Sequence, residues 1–222
     1  METDRLVRFA IRKMTEHEVA AECLEEADEI VIFGSRSVGL EKSNSDLDVL
    51  CIGKKSQKLK TRFLDLTVMP LEETFQAKWL GNELASHIAK YGTWIKGDPK
   101  WVDSVQIGAE AVDAKRRRIA AFLRALPSRW DNLDEIFRQK YATKLRRETQ
   151  RLLLLERGVA VPPTRILDES WDVFTIPEQE IERSLVGTMG SDEIRFRRDL
   201  LDRITAALAH QTTIPSPLQT LR

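Results

Sequence analysis

The chain has 222 residues, of which 42% are hydrophobic and 32% charged, a balance typical of a globular protein with much exposed helix. Lys and Arg together number 35, as do Asp and Glu, so a net charge of zero gives no global field to mark a nucleic-acid-binding protein. No apolar run approaches the roughly 20 residues of a membrane span, no secretory signal is apparent, and we expect Cys23 and Cys51 to stay reduced in the cytoplasm.

The predicted elements of the first hundred residues alternate between helix and strand. Apolar residues at helical intervals predict helices over residues 5–27 and 71–91, the second interrupted near Gly81. Apolar and β-branched runs predict strands over residues 29–33, 47–52 and 61–69, and residues 93–99 indicate a brief extended segment that closes on a turn. Because the link between the second and third strands is short and polar, an antiparallel hairpin is favoured there.

From about residue 107 the pattern becomes entirely helical. Helices are predicted over residues 107–126, 131–157, 177–186 and 192–210. Gly158 ends the second of these, and Pro162-Pro163 forces an extended connection after it. We therefore predict an α/β domain over residues 1–104 and a helical domain over residues 105–222.

Three aspartates carry the first part of the chemistry that the sequence indicates. Asp46 and Asp48 are two residues apart at the start of a strand, so their carboxylates project to one face. Two such charges repel and raise one another's pKa unless a cation lies between them. Asp65, on the neighbouring strand, joins this face if the register is right. Three converging carboxylates suit Mg²⁺, which commonly shares its coordination shell with substrate phosphates.

The turn after the first strand carries the second part. In Gly34-Ser35, glycine lets the backbone approach an anion, while the serine hydroxyl and the following amides donate hydrogen bonds. Arg36 and Lys42 add positive charge nearby. Taken singly, these pieces are an ordinary turn and ordinary strand ends. In this order, they favour an anion-binding turn beside a carboxylate metal site, which is what nucleotidyl or phosphoryl transfer requires.

Residues 29–68 resemble the signature of the DNA polymerase beta-like nucleotidyltransferase superfamily: an apolar strand ending in Gly-Ser, an acid-apolar-acid pair on the next strand and a third acid later. The resemblance implies a mixed sheet with flanking helices (an α+β fold) and transfer of a nucleoside monophosphate from an NTP, with ATP expected, releasing pyrophosphate. By the same resemblance, two Mg²⁺ ions are held by Asp46, Asp48 and Asp65, and the nucleotide contacts Gly34, Ser35 and Arg36. Asp65 would also assist deprotonation of the acceptor hydroxyl. The chain departs from many minimal members in lacking a helix before Asp65.

The helical half loosely resembles the bundle appended to aminoglycoside adenylyltransferases and to HEPN-type partner proteins. The acceptor stays open between an aminoglycoside-like small molecule and a hydroxyl of RNA or protein, as in toxin–antitoxin and defence systems. Glu148 or Glu156 could supply an auxiliary base, although surface or salt-bridging roles are the simpler interpretation. A catalytically silent nucleotide-binding module is the alternative to an enzyme, and three retained, mutually repelling carboxylates argue against it.

Other conspicuous residues have two interpretations each. The basic run over residues 115–151 is either a surface for RNA such as tRNA or a solvated helical face paired with acidic stretches at 168–172 and 178–182, and zero net charge favours the second. The tryptophans are expected in the core or at a domain interface rather than as base-stacking platforms: Trp79, Trp94, Trp101, Trp130 and Trp171. The three histidines, His17, His87 and His210, show no metal-ligand spacing, and direct chemistry is not expected of them.

Overall fold

A five-stranded sheet with helices on both faces occupies the first hundred residues. The computed structural model describes residues 2–125 and 134–169 of the chain. The strands are β1 (Glu29–Phe33), β2 (Leu47–Gly53), β3 (Gln57–Lys60), β4 (Leu64–Pro70) and β5 (Thr93–Lys96). The helices are α1 (Glu2–Thr15), α2 (Glu18–Glu26), α3 (Ala77–Leu80), α4 (Glu83–Tyr91), α5 (Ala109–Ala125), α6 (Glu135–Glu156) and α7 (Thr164–Glu169). None of these helices has the length and apolarity needed to cross a membrane.

The strand order in the sheet is β3-β4-β2-β1-β5. β2 and β4 are parallel, whereas β1 pairs antiparallel with both β2 and β5, and β3 pairs antiparallel with β4. The predicted α+β fold with a small mixed sheet is therefore confirmed.

The antiparallel hairpin predicted between the second and third strands is wrong. Those strands, β2 and β4, run parallel in a register from Leu47 opposite Leu64 to Gly53 opposite Pro70. The residues between them form the edge strand β3, which reverses the chain once more before β4 returns between β3 and β2. β3 has one apolar residue, Leu59, among polar ones, so its composition hides the extra reversal.

The single helix predicted over residues 5–27 is also wrong, because the structure has two helices there. Met14 and Val19 are five residues apart, which breaks the helical interval of apolar positions. The chain turns at Glu16 and His17, where the His17 amide donates to the Met14 carbonyl at 3.1 Å. This turn lets Met14 of α1 and Ala20 of α2 both bury their side chains against the same sheet face.

The sheet lies between two hydrophobic cores, one on each of its faces. On one face, Ile30 and Ile32 of β1 pack with α1 and α2. On the other face, Val31 packs with α4 and with the fully buried Trp101. Burial on both faces makes β1 and β2 rigid supports for the residues at their ends.

Three of the five tryptophans pack together, as expected for core residues. The rings of Trp79 and Trp94 lie 5.5 and 6.4 Å from that of Trp101. The indole Nε1 of Trp101 donates to the buried carboxylate of Glu29 at 3.0 Å. Trp130, Trp171, His210 and the helices predicted at 177–186 and 192–210 lie outside the described residues.

The chain forms two compact units, and each unit is made of two separate segments of the sequence. The first comprises Met1–Asp113 with Arg151–Thr175, and the second Ala114–Gln150 with Ile176–Arg222. In the first unit, Leu155, Val161 and Leu167 form a small core that Ile107 and Val112 also contact. The domain boundary after residue 104 stays a prediction.

Candidate active site

Two parallel strands bring the three predicted acids together. Asp48 of β2 and Asp65 of β4 are directly opposite one another in the strand register, and Asp46 lies just before β2. Each of the three residues offers a carboxylate oxygen, and these atoms all lie within 4.8 Å of one another. The register of the parallel pair β2–β4 therefore brings Asp65 to the face that Asp46 and Asp48 share.

Alternation along both strands explains why the acids share a face. Leu47 and Val49 flank Asp48 and are fully buried, and Leu64 and Leu66 flank Asp65 in the same way. Since successive side chains point to opposite faces, anchoring these leucines and valine in the core leaves the carboxylates on the other side.

Burial and like charge both disfavour ionisation of Asp48. Its pKa is raised from 3.8 to about 7, first by burial and then by the carboxylates of Asp46 and Asp65, while Lys60 and Arg36 oppose the shift. Three carboxylates with this shortage of positive charge are a donor set suited to a hard divalent cation such as Mg²⁺. The three residues therefore fit a metal site.

Lys60 is an addition to the site that sequence reasoning missed. It lies opposite Asp65 across the β3–β4 pair, and its Nζ donates to the Oδ2 of Asp65. This hydrogen bond raises the pKa of the lysine. The side chain of Lys60 is 70% exposed and that of Asp65 33%, so the pair sits at the solvent side of the acid cluster. The signal was hidden because β3 was not predicted.

The Gly34 turn is built against the acids. Gly34 has a φ of 78°, in the left-handed region. A Cβ atom at this position would collide with Oδ2 of Asp48. The Gly34 carbonyl accepts a hydrogen bond from the Ser37 hydroxyl at 2.9 Å. Glycine is thus required both for the backbone conformation and for the closeness of the turn to Asp48.

Ser35 begins the 3₁₀ turn Arg36–Val38, and its carbonyl accepts the Leu40 amide at 2.9 Å, which closes the loop. Across the part of the chain that the structure describes, the Ser35 hydroxyl has no hydrogen-bond partner. It is half-buried at the same end of the sheet as Asp48. A donor in this position can be used by a bound anion.

Arg36, predicted to contact nucleotide, holds the backbone of the acid loop. Its Nη2 donates to the Ser45 carbonyl at 2.6 Å and its Nε to the Asp46 carbonyl at 3.0 Å. The guanidinium carbon lies 4.5 Å from the centre of the Phe9 ring, a cation–π contact. These bonds fix the peptide units immediately before β2, and a contact with nucleotide stays a prediction.

Replacing Arg36 by Ala is expected to lower metal affinity and transfer by about 10–100-fold, the usual cost of losing a group that orients metal ligands. Isothermal titration with Mn²⁺ measures the first effect. Arg12→Ala is the matched control, because Arg12 also lies over the Phe9 ring, at 5.7 Å, but is exposed on α1. Equal metal affinities of the two variants would contradict the role of Arg36 in holding the loop.

Residues distant in sequence also contact this region. The Gly34 amide donates to Nε2 of His87, 53 residues away, at 3.3 Å. Nδ1 of His87 lies 2.7 Å from the Val161 carbonyl, 74 residues further on. Arg165 donates to the Leu40 carbonyl at 3.2 Å. No local pattern marks such contacts, so sequence reasoning could not find them.

In the second compact unit, Glu148 is engaged in an ion pair. Its carboxylate accepts from Lys115 at 2.9 Å, and both residues are buried. Arg118 lies 3.7 Å from the same oxygen. Glu148 thus has the salt-bridging role, and Lys115 faces this partner rather than a surface for RNA.

A match to a known protein family agrees with the motif. Residues 18–96 match the family described as the nucleotidyltransferase domain. A spectinomycin adenyltransferase from Enterococcus faecialis, solved with ATP and spectinomycin, is 14% identical, with 92% of this chain and 98% of that chain covered and a TM-score of 0.45. A nucleotidyltransferase-like protein from Exiguobacterium sibiricum is 13% identical, with 93% and 82% covered and a TM-score of 0.33. No curated protein matches the chain.

Proposed function

Because residues 18–96 match the nucleotidyltransferase domain family and residues 29–68 carry the motif that resembles the polymerase beta-like superfamily, we propose that this protein transfers a nucleoside monophosphate from an NTP to a hydroxyl acceptor in a Mg²⁺-dependent reaction. Pyrophosphate is the second product, and ATP is the expected donor. The observation that carries the proposal is the convergence of three carboxylates within 4.8 Å beside a glycine turn that has no room for a side chain.

The residues divide the work between metal and nucleotide. Asp46 and Asp48 would hold Mg²⁺ together with Asp65, and Mg²⁺ supplies neutralisation of the charge that develops on the phosphates. The Ser35 hydroxyl and the amides that follow Gly34 would hold the triphosphate. Arg36 keeps the loop before Asp48 in place, which preserves the alignment that in-line transfer needs.

Asp65 would take the proton from the acceptor hydroxyl. Its side chain is 33% exposed, and its partner Lys60 is 70% exposed, so an acceptor can reach this carboxylate from solvent. A carboxylate that both holds the metal and is reached from solvent can accept this proton close to the metal. The acceptor itself stays open between a small molecule and a hydroxyl of RNA or protein.

The test is to incubate the protein with each α-labelled NTP, Mg²⁺ and a cell extract, and to follow label into small molecules, RNA and protein. We expect one class to gain the α-label while γ-label leaves as pyrophosphate. Asp65→Asn should reduce incorporation by about 10²–10⁴-fold, the usual contribution of a general base. Entry of γ-label into the product would instead show phosphoryl transfer, and equal incorporation by Asp65→Asn would exclude Asp65 as the base.

A further inference from the structure

The imidazole of His87, on α4, joins the Gly34 turn to the segment that follows α6. The Val161 carbonyl can only accept, so Nδ1, at 2.7 Å, must carry the proton. The Gly34 amide can only donate, so Nε2, at 3.3 Å, must be bare. The two partners therefore fix His87 as one neutral tautomer.

We propose that His87 is a positioning residue for nucleotide binding, which holds the Gly34 peptide by accepting its N–H and anchors itself on the Val161 carbonyl. The inference rests on the proposed function, since it assigns the Gly34 turn to the triphosphate. Because the Gly34 amide donates to His87, the phosphates would accept hydrogen bonds from the Ser35 hydroxyl and from the backbone amides that follow Gly34. The orientation of the Gly34 peptide then decides where those donors point.

The surroundings of the ring favour the neutral form. The imidazole and the Phe33 ring form a T-shaped pair with centroids 6.2 Å apart, and the centroid of the Tyr91 ring lies 5.5 Å from that of the imidazole. The charged groups that face it are Glu83 of α4 and Arg151 of α6. Burial is the largest influence and lowers the pKa of His87, the bond to Val161 raises it, Arg151 lowers it and Glu83 raises it.

Protonation would break the arrangement. A proton on Nε2 would face the Gly34 N–H, so the hydrogen bond could not survive in the imidazolium form. Because the pKa of His87 is lowered in the folded protein, the neutral form and its bond are complete above the ordinary value of about 6.5 and are lost as pH falls through the lower folded value. Nucleotide affinity should follow the same dependence.

The experiment measures the Kd of a non-hydrolysable ATP analogue with Mg²⁺ by calorimetry, between about pH 5 and pH 8. It compares the wild type with His87→Ala, His87→Gln and His17→Gln. We expect His87→Ala to weaken binding about 10-fold at pH 7.5, the loss of roughly one hydrogen bond. Glutamine can accept from Gly34 and donate to Val161, so His87→Gln should keep the affinity and lose the histidine part of the pH dependence. His17→Gln, at the start of α2, should match the wild type.

The outcomes separate the two proposals. If the wild type does not bind the analogue, the proposed function fails. If it binds and His87→Ala binds equally well, with the same pH profile, the positioning role is overturned. Imidazole ¹⁵N NMR of the intact wild type is a second test, and it does not depend on the folding of any variant. A neutral Nδ1–H tautomer of His87 at pH 7 supports the inference, and any other form of His87 contradicts it.

Discussion

Asp48→Asn is expected to abolish nucleotidyl transfer and, at the same time, to stabilise the metal-free protein. Under the proposed function Asp48 holds Mg²⁺, and losing this carboxylate should remove several kcal/mol of transition-state stabilisation, which corresponds to at least about 10³-fold in rate. The stabilisation arises because Asn carries no charge into the acid cluster. A single substitution should therefore separate the catalytic benefit of the cluster from its cost to folding.

The pH dependence of that cost follows from the pKa of Asp48, raised from 3.8 to about 7 in the folded protein. Between those values the folded state holds a proton that the unfolded state releases, so stability falls as pH rises through this range. Above pH 7 the full penalty applies, on the order of 4 kcal/mol. In EDTA at pH 8, Asp48→Asn should melt several degrees above the wild type, and the difference should shrink towards pH 4.

Thermal unfolding with EDTA and with Mg²⁺ checks this expectation. Mg²⁺ should raise the Tm of the wild type and have little effect on Asp48→Asn, because the ion binds the folded state through the intact cluster. Asp103→Asn, at an exposed site in the turn Val102–Ser104, is the control for removing an acid elsewhere. If Asp48→Asn melts no higher than the wild type at pH 8, then placing the Asp48 charge in this buried acid cluster does not have the cost to stability that we assign to it.

Gly34→Ala is expected to have the second large effect, and Gly158→Ala provides its matched control. Both glycines are left-handed, with φ of 78° and 66°. Alanine at either position should therefore lower the free energy of unfolding by about 1–2 kcal/mol through backbone strain. At Gly34 the new Cβ would also meet the carboxylate of Asp48, whereas at Gly158 nothing lies within 4 Å.

The two variants should therefore differ in nucleotidyl transfer, although both lose stability. Gly34→Ala should lose at least about 10²-fold in transfer, because displacing a catalytic group by an ångström has effects of that size. Gly158→Ala should lose stability alone. Pyrophosphate release and urea unfolding measure the two quantities. Similar transfer rates in the two variants would mean that the closeness of Gly34 to Asp48 is unimportant.

Much of the site could be predicted because its residues depend on local patterns. The apolar sequences of β1 and β2 are sufficient to predict both strands. The alternation of apolar and acidic residues around Asp48 and Asp65 shows which side chains point away from the core. The direction of β4 could not be predicted, because it depends on the extra reversal through β3, whose polar sequence gives little signal. Strand pairing is a tertiary property, and a short polar link was compatible with either arrangement.

The roles of Arg36 and His87 could not be predicted for a different reason. The sequence places a positive charge beside the Gly34 turn, but it does not say whether the guanidinium donates to a ligand or to the carbonyls of Ser45 and Asp46. His87 meets partners 53 and 74 residues away. Such partners become apparent only when the sheet, α4 and the chain after α6 are packed together.

The return of residues 151–169 to the first compact unit limits how far the protein can be shortened. A fragment that ended at residue 104 would retain every acid of the cluster and the whole sheet. It would nevertheless leave His87 without its carbonyl anchor and the Leu40 loop without Arg165. Residues 151–169 therefore support the first compact unit from outside the motif, and truncation would remove this support while leaving the motif intact.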